Sequence, residues 1–396
     1  MSIKIKIQNI QTYLSTIAFF ALFPGFFFYQ FSIAKGYFPP VLGGYFGLVA
    51  AFLFIPLFFI NIKVFMKKQD LIVAIFFLIL GLTFIVSIIQ YSLQNPNGYA
   101  KEIFVWSISG LLFNLVAFMV AARLNLNLVA RLGCWLLFLM FLAVILNIGD
   151  YGIFYLRQGA GDVAEYVSTY QGFARSIVVT LLITSAFYFR ASIRFYLLIL
   201  LGFVALFFNG ARSEFAIFVL TIAFMYLIYS MTSIKTAIGF LLFAFIVTFT
   251  VVSVLDFVPD SRMLQLLDIT NSSSAESRTE LFMFSLELIK NNPLLGEYAG
   301  YVELGGIGSY SHNILSAWVN LGLLGFTLYF LMFLLLWRDA LLNFVRYKNF
   351  DLFKVYLIFL VFVTGSLLVS KNHSYMLVGL LLGFYAQYKN FIKGLK

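Results

Sequence analysis

Residues 71–90 read LIVAIFFLILGLTFIVSIIQ and contain no charged side chain. A helix needs about 20 predominantly apolar residues to cross the hydrocarbon core of a bilayer, and this run has that length. Similar runs recur along the chain between short polar breaks, and two of them, 195–209 and 214–230, also fit a broken or re-entrant pair. The runs predict twelve membrane-spanning helices, centred on 12–33, 41–60, 71–90, 103–122, 132–148, 174–189, 195–209, 214–230, 236–255, 314–337, 352–370 and 374–388.

The composition of the whole chain agrees with this pattern. Hydrophobic residues occupy 62% of the 396 positions and charged residues 11%, whereas soluble domains are about half apolar and a quarter charged. The mean hydropathy is +0.99. We therefore expect an all-α polytopic integral membrane protein, in which residues 1–396 form a single membrane domain.

The formal net charge of +10 suggests a nucleic-acid partner until the charges are placed on the predicted topology. Lys and Arg are in excess in the cytoplasmic loops of membrane proteins. With a cytoplasmic N-terminus and twelve spans, the inner segments hold 17 of the 26 cations and only the acids Asp70, Asp339 and Asp351. The charge thus predicts an orientation with both termini in the cytoplasm, and no nucleic-acid partner is expected.

Ionisable residues are nearly missing from the middles of the predicted helices and gather in the outer loops. A charged side chain at the bilayer centre costs several kcal/mol, which transporters accept in order to build an ion or substrate path. The pattern weighs against a proton-coupled carrier and favours a site at the outer membrane–water boundary. Asn114, inside a predicted helix, is interpreted as an interhelical packing contact.

The outer loop 149–173 is rich in tyrosine and in charge. Its tyrosines are either membrane-interface anchors or a platform for sugar rings. The charged residues and tyrosines are Asp150, Arg157, Asp162, Glu165, Tyr151, Tyr155, Tyr166 and Tyr170.

A second outer candidate is the tight polar turn at 209–214, Asn-Gly-Ala-Arg-Ser-Glu. Glycine and alanine let the backbone approach a ligand closely, and the planar guanidinium of Arg212 suits a phosphate. Arg212 equally fits a salt bridge with Glu214 or a role as a snorkelling anchor.

The long periplasmic loop 256–311 contains signals of an amphipathic helix at about 277–290. Two consecutive capping-box patterns, beginning at Ser273 and Ser277, precede apolar positions at helical spacing, and Asn292-Pro293 marks the stop. Arg278 is expected in the first turn, where free backbone N–H groups and an arginine would form a pyrophosphate site. Arg278 also fits a solvated position, or a surface pair with a neighbouring glutamate, which would be worth little. The apolar positions are Leu281, Phe284, Leu288 and Ile289, and the glutamates are Glu276 and Glu280.

The loop ends at Ser311-His312-Asn313, and His312 is one of only two histidines in the chain. Histidine exchanges protons near neutral pH, so His312 is the candidate general base. The alternative is a loop histidine that anchors a helix start. Asn313 fits either a residue that orients the imidazole or a helix cap, and we interpret it as a cap. The sequence has no P-loop spacing and no acidic DxD-like pair on the outer side, so no nucleotide, metal or other cofactor is predicted.

Four features in order, Arg278, residues 292–296 (Asn-Pro-Leu-Leu-Gly), His312-Asn313 and residues 322–325 (Gly-Leu-Leu-Gly), resemble the O-antigen ligase and polymerase superfamily of bacteria. Arg212 occupies the place of that family's earlier outer arginine. The resemblance covers about 205–340 by motif and the rest of the chain by topology. One departure is that Glu297-Tyr298 follows Gly296, where the family often has Gly-x-Gly.

This resemblance implies a GT-C-like membrane glycosyltransferase of the bacterial inner membrane, which takes its glycan from an undecaprenyl pyrophosphate carrier without nucleotide or metal. Arg212 and Arg278 would hold the pyrophosphate, and His312 would act as general base on the acceptor hydroxyl. Supporting roles would fall to Asn313, Glu214, Arg157 and Tyr310.

The expected activity is polymerisation of lipid-linked repeats into O-antigen or capsular polysaccharide. The nearest alternative is the ligase that transfers finished glycan to lipid A–core, and no residue separates the two. A lipid-linked oligosaccharide flippase is a third alternative. It should have a charged central cavity, and the sequence lacks the cations to line one. A chain-length regulator and a flippase are the expected protein partners.

Overall fold

A computed structural model describes most of the chain, and the described residues are helical apart from short connections and one isolated bridge between Ile148 and Phe154. The described residues are 2–39, 41, 45–65, 70–93, 99–148, 154, 170–189, 193–231, 234–257, 273–306 and 309–394.

The helices are numbered in chain order, and a π-helical turn at Ala21–Gly25 joins the first two. They are α1 (Ser2–Phe20), α2 (Phe26–Ala34), α3 (Phe46–Phe65), α4 (Leu71–Leu93), α5 (Tyr99–Ala121), α6 (Leu126–Ile145), α7 (Tyr170–Phe187), α8 (Ile193–Asn209), α9 (Arg212–Ser230), α10 (Ile234–Phe257), α11 (Ser273–Asn291), α12 (Val302–Gly305), α13 (Leu315–Tyr347), α14 (Asp351–Val369) and α15 (Leu377–Gly394).

Within the described residues, seven helical stretches are long and apolar enough to cross a membrane, and four further apolar helices are shorter. The prediction of a helical membrane protein is therefore confirmed. Each of the twelve predicted runs overlaps a helix, while the number of spans stays a prediction. The seven stretches are Asn9–Ala34, Leu71–Leu93, Ala100–Ala121, Leu126–Ile145, Arg212–Ser230, Leu315–Tyr347 and Asp351–Val369.

The chain forms two compact units, each assembled from three segments. That they make up a single membrane domain stays a prediction. Unit 1 comprises Met1–Phe52, Arg123–Ile269 and Asn349–Phe362, and unit 2 comprises Leu53–Ala122, Thr270–Lys348 and Val363–Lys396.

Unit 1 is built around α7, which packs against α2, α6, α8 and α9. Small residues allow the close contacts. A Cβ atom added at Gly202 would lie 2.0 Å from the Leu181 side chain, and one added at Gly133 would lie 2.6 Å from Thr184. Close backbone approach through small residues is typical of helix packing in membranes.

In unit 2, α5 packs along α15, and α4 packs along both α5 and α13. Gly379 and Gly383 are one helical turn apart on α15 and face the backbone of α5. A Cβ atom would lie 2.1 Å from the Asn114 carbonyl oxygen at the first position and 2.4 Å from that of Phe118 at the second. This spacing of small residues lets the two helix backbones touch.

The Asn114 side chain fastens α5 to the start of α15. Its Nδ2 donates to the Ser374 carbonyl at 3.0 Å, and its Oδ1 accepts the Gly379 N–H at 3.0 Å. One of the free N–H groups at the beginning of α15 is thereby satisfied. The prediction that Asn114 makes an interhelical contact is confirmed.

Helix α13 is broken near its beginning at Gly322, which has φ 65° and ψ −170°. In an unbroken helix the Leu323 N–H would donate to the Val319 carbonyl. Here it donates to the Leu294 carbonyl at 3.2 Å, and the Val319 carbonyl accepts the Glu297 N–H at 2.5 Å. The backbone that follows α11 therefore replaces the helix's own hydrogen-bond partners.

We call the contact between 294–297 and 319–323 the glycine junction, because only glycine fits at its two central positions. Gly296 has φ 74°, and a Cβ there would lie 2.5 Å from the Val319 carbonyl oxygen. At Gly322 a Cβ would lie 2.1 Å from the Leu294 carbonyl oxygen. The two sequence motifs at 292–296 and 322–325 thus meet in one structural element.

Helix α11 begins at Ser273, four residues before the predicted start, and ends at Asn291 beside the predicted stop. The Ser277 capping pattern therefore lies inside the helix. Arg278 follows the first helical residue by five positions, so its predicted place in the first turn, beside free N–H groups, is wrong. The predicted apolar face is confirmed: Leu288 is buried with Tyr301 and Val319, and the other three predicted positions pack against this cluster.

Helix α13 also extends ten residues beyond its predicted end at 337, into a charged stretch. The predicted span ended where Arg338 and Asp339 interrupt the apolar run. Asp339 forms a 2.7 Å ion pair with Lys389 of α15. This pair lets the charged continuation remain helical.

We expect Gly322→Ala to destabilise the protein strongly. The added Cβ meets backbone and the residue must keep a positive φ, so strain and overpacking together cost roughly 2–6 kcal/mol. Gly306→Ala, where φ is 75° and no described residue lies within 4 Å of an added Cβ, should cost only the backbone strain. The measurement is the thermal midpoint of each purified variant in detergent.

Gly81→Ala is the matched control, because Gly81 lies in α4 with no described residue within 4 Å of an added Cβ. Alanine favours a helix over glycine by about 1 kcal/mol, so this variant should match or exceed the wild type. A Gly322→Ala midpoint equal to that of Gly81→Ala would contradict the close approach at the glycine junction.

Candidate functional site

His312 lies in unit 2, in the connection that leads into α13. Its Nδ1 is 3.2 Å from the Ser370 carbonyl oxygen at the end of α14. A carbonyl oxygen only accepts hydrogen bonds, so Nδ1 carries the hydrogen of the neutral ring. Nε2 then holds the free lone pair, and it makes no hydrogen bond within the described part of the chain. The ring is thus oriented by one nitrogen and able to take a proton on the other.

The two residues predicted to support His312 act in different ways. The Tyr310 ring packs on the imidazole at 4.6 Å between centroids. The Asn313 Oδ1 accepts the N–H of Leu315, the first residue of α13, and the hydroxyl of the buried Ser311, each at 2.9 Å. The Asn313 side chain therefore satisfies the first N–H group of α13, although Ile314 occupies the N-cap position, and Tyr310 is the direct neighbour of the imidazole.

Two cations share the surroundings of His312. Burial lowers the pKa of the imidazole below its ordinary 6.5, and the positive charges of Arg278 and Lys371 lower it further. The hydrogen bond to the Ser370 carbonyl acts in the opposite direction. The net lowering keeps His312 neutral near pH 7, which is the state a general base needs. We call Arg278, His312 and Lys371 the cationic cluster.

Lys371 was not selected from the sequence. It lies in the short connection 370–376 between α14 and α15, where its Nζ is 5.8 Å from the centre of the Tyr375 ring. Its position in the sequence could have indicated a role, because Lys371 lies between two predicted spans, on the same predicted side of the membrane as His312. Its proximity to His312 depends on contacts between segments 58 residues apart and cannot be read from spacing.

His373, the second histidine, was also not selected from the sequence, although it occupies the same connection. Its backbone N–H donates to the Ser316 hydroxyl at 2.8 Å, and its carbonyl accepts from the Tyr329 hydroxyl at 2.8 Å. Burial lowers the pKa of its imidazole to about 4. His373 is consequently neutral at physiological pH.

A cavity of about 100 Å³ lies beside the cationic cluster within unit 2. Its walls come from α4, α5 and α13 and from the connections that contain Tyr310 and His373. Tyr310 belongs to both places, since it lines the cavity and packs on His312. The cationic cluster and the cavity therefore share a border.

Arg212 and Glu214 begin helix α9 in unit 1. Gly210, with φ 73°, forms the predicted tight turn before them. Glu214 is buried with 3% of its surface exposed, and its Oε2 accepts the Ser213 hydroxyl at 2.9 Å. The turn is confirmed, while phosphate binding by Arg212 stays a prediction.

Arg157 lies outside the described residues, as does the loop 149–173 apart from Phe154 and 170–173. In the long loop, 258–272 and 307–308 are likewise outside the described part. Elsewhere, among the described residues, no three His, Cys, Asp or Glu side chains lie close enough to hold a metal ion. The expectation that the reaction needs no metal stays a prediction.

No family model, curated protein or solved structure matches this chain.

Lowering the pH should destabilise the fold through His373. Its pKa is about 4 in the folded protein and about 6.5 in an unfolded chain. Between these values the unfolded state binds a proton that the folded state does not, so the free energy of unfolding falls as the pH falls. His373→Gln should reduce this slope between pH 6.5 and 4, as measured by thermal midpoints in detergent. Identical slopes for the variant and the wild type would contradict the burial of a neutral His373.

Proposed function

We propose that this protein is a membrane glycosyltransferase that polymerises undecaprenyl-pyrophosphate-linked oligosaccharide repeats into O-antigen or capsular polysaccharide. The observation that supports it is the cationic cluster: an imidazole oriented through Nδ1, with an open Nε2, beside an arginine and a lysine. A general base next to two cations suits an acceptor hydroxyl and a diphosphate leaving group.

In the proposed reaction, His312 Nε2 takes the proton of an acceptor hydroxyl as that oxygen bonds to the anomeric carbon of the donor glycan. The bond from this carbon to the pyrophosphate oxygen breaks, and undecaprenyl pyrophosphate leaves with the electron pair. Proton transfer to a positioned base contributes about 10²–10⁴-fold. The cations stabilise the negative charge that grows on the leaving group, which is commonly the largest electrostatic contribution to rate.

Arg278 and Lys371 contribute differently to this charge stabilisation. The planar guanidinium of Arg278 can form two parallel hydrogen bonds to a phosphate, whereas the ammonium group of Lys371 acts as a compact point charge. The resemblance to the ligase and polymerase superfamily assigns Arg212 to the pyrophosphate as well. We keep that assignment as part of the proposal, with Glu214 and Arg157 in supporting roles.

The proposed topology has twelve spans in a GT-C-like arrangement, with both termini in the cytoplasm of a bacterial cell. His312 then faces the periplasmic side of the inner membrane. The lipid carrier stays in the bilayer while the sugars react in water at its surface. A flippase would supply the lipid-linked repeats, and a separate regulator would set the chain length.

The decisive experiment uses the purified protein in lipid with an undecaprenyl-pyrophosphate oligosaccharide, with and without lipid A–core. A ladder from the lipid-linked repeat alone supports the polymerase. Product that requires lipid A–core identifies the ligase instead. If a cognate repeat yields neither product, the transferase proposal is overturned and lipid flipping becomes the activity to measure.

His312→Ala should lower kcat by about 10²–10⁴-fold, because the base is lost while the phosphate-binding cations remain. Ser92→Ala is a suitable control, since among the described residues the exposed Ser92 hydroxyl bonds only to its own helix at Ile88. The assay is the rate of ladder formation at saturating donor, with equal amounts of folded protein. Near-normal turnover by His312→Ala would remove His312 from the chemistry.

Lys371→Met should shift the acidic limb of the pH–rate profile to higher pH. The lysine charge lowers the pKa of His312, so its removal raises that pKa and the neutral base is lost earlier on acidification. Arg278→Lys keeps the charge but loses the bidentate geometry, and should raise the donor KM roughly tenfold with a smaller shift of the limb. An unchanged profile in Lys371→Met would show that Lys371 does not act on His312.

A further inference from the structure

The cavity in unit 2 differs in chemistry from the cationic cluster beside it. Among the lining residues that the structure describes, none is an aspartate, glutamate, lysine or arginine, and His373 is the single ionisable base. Aromatic rings and small amide or hydroxyl side chains make up the polar part of the wall. A charged group brought into such a cavity would lose water without gaining a partner, which is costly. The wall therefore favours an uncharged, polar ligand.

Two lining residues have unused hydrogen-bonding capacity. The Asn372 Oδ1 accepts the Ser374 hydroxyl at 3.0 Å, while its Nδ2 donors have no bond within the described residues. The His373 Nδ1 lies 3.4 Å from the Ser316 hydroxyl, and its Nε2 is likewise without a partner in that part of the chain. Adjacent residues thus offer free polar groups, and neighbouring hydroxyl groups of one ligand can pair with such groups.

Aromatic side chains supply the remaining surface. Trp106 lines the cavity and keeps 53% of its surface exposed, and Tyr298 and Tyr310 line it as well. A ligand pocket commonly combines apolar and aromatic walls with a few well-placed polar groups. The ring faces suit the C–H faces of a sugar, and the amide and imidazole suit its hydroxyls.

The wall near Tyr298 is held in a strained conformation. Ala299 has φ 61°, a left-handed value that is unfavourable for alanine. Its N–H donates to the Asn320 Oδ1 at 2.9 Å, and the Tyr298 hydroxyl donates to the Ser107 hydroxyl. Strain of this kind persists where surrounding contacts determine the backbone, and it concentrates at ligand sites.

We propose that this cavity binds one neutral sugar ring of the glycan substrate while the cationic cluster binds the pyrophosphate. This inference rests on the proposed function, because it takes the ligand to be a saccharide. The cavity has room for a handful of waters, which the hydroxyl groups of the ring replace. Tyr310 separates the two places, and Lys371 immediately precedes Asn372, so the ring and the phosphate would bind side by side.

The test uses saturation-transfer NMR of the purified protein in detergent with N,N′-diacetylchitobiose, a neutral disaccharide. Binding of inorganic pyrophosphate, which has no carbon-bound protons to observe, is measured separately by isothermal titration calorimetry. We expect saturable binding of the disaccharide, weakened about tenfold in Trp106→Ala and in Asn372→Ala. The matched controls are Trp135→Ala and Asn343→Ala. Trp135 is 71% exposed on α6 of unit 1, and the Asn343 side chain bonds to its own helix at Asp339. Neither control should change binding.

Pyrophosphate should show the opposite pattern, with binding weakened by Arg278→Ala and unchanged by Asn372→Ala. No saturable disaccharide signal for the wild type, or equal signals for all variants, overturns the sugar site. If the disaccharide binds as expected but no glycan is transferred with His312 intact, the sugar site stands and the glycosyltransferase proposal falls. If a polymer ladder forms but the disaccharide binds equally to all variants, the glycosyltransferase proposal stands and the sugar site falls.

Discussion

The contact on which unit 2 depends is the glycine junction, where two backbones touch without side chains between them. It satisfies the two hydrogen-bonding groups exposed by the break in α13, and unsatisfied backbone groups are especially costly in an apolar environment. The junction also joins the two ends of the segment 297–319, which contains Tyr310 and His312. The segment 297–319, which carries the candidate base, is consequently held together at its two ends. Much of its conformational entropy is therefore already lost before a ligand binds.

The helices were predictable because apolar length and local stop signals are properties of contiguous sequence. The apolar face of α11 and the stop at Asn292-Pro293 follow from spacing alone. The start of α11 was misjudged because two capping patterns follow one another directly, and the helix includes both. The break at Gly322 was not predicted, because a glycine inside an apolar run has the same appearance whether or not a distant backbone lies against it. Its partner, Gly296, is 26 residues away.

In the candidate site, too, residues within local sequence patterns were predicted, and residues brought in by distant contacts were not. His312 and Arg278 were selected from polar segments with recognisable local patterns. Lys371 and His373 were missed, because their relevance comes from contacts with segments more than 50 residues away. The short connection between α14 and α15 contributes one residue to the cationic cluster and three to the cavity. From the sequence alone, a connection of this length is interpreted as a simple turn.

The break in α13 has a mechanical consequence. The helix has 33 residues, about 50 Å at 1.5 Å per residue, which exceeds the roughly 30 Å hydrocarbon thickness of a bilayer. A long helix adapts to a thinner or thicker membrane by tilting. The backbone on both sides of the break, at Val319 and at Leu323, is bonded to 294–297, so this end of the helix stays fixed while the long remainder changes its tilt. Membrane composition should therefore affect the geometry around His312 less than it affects the rest of this helix.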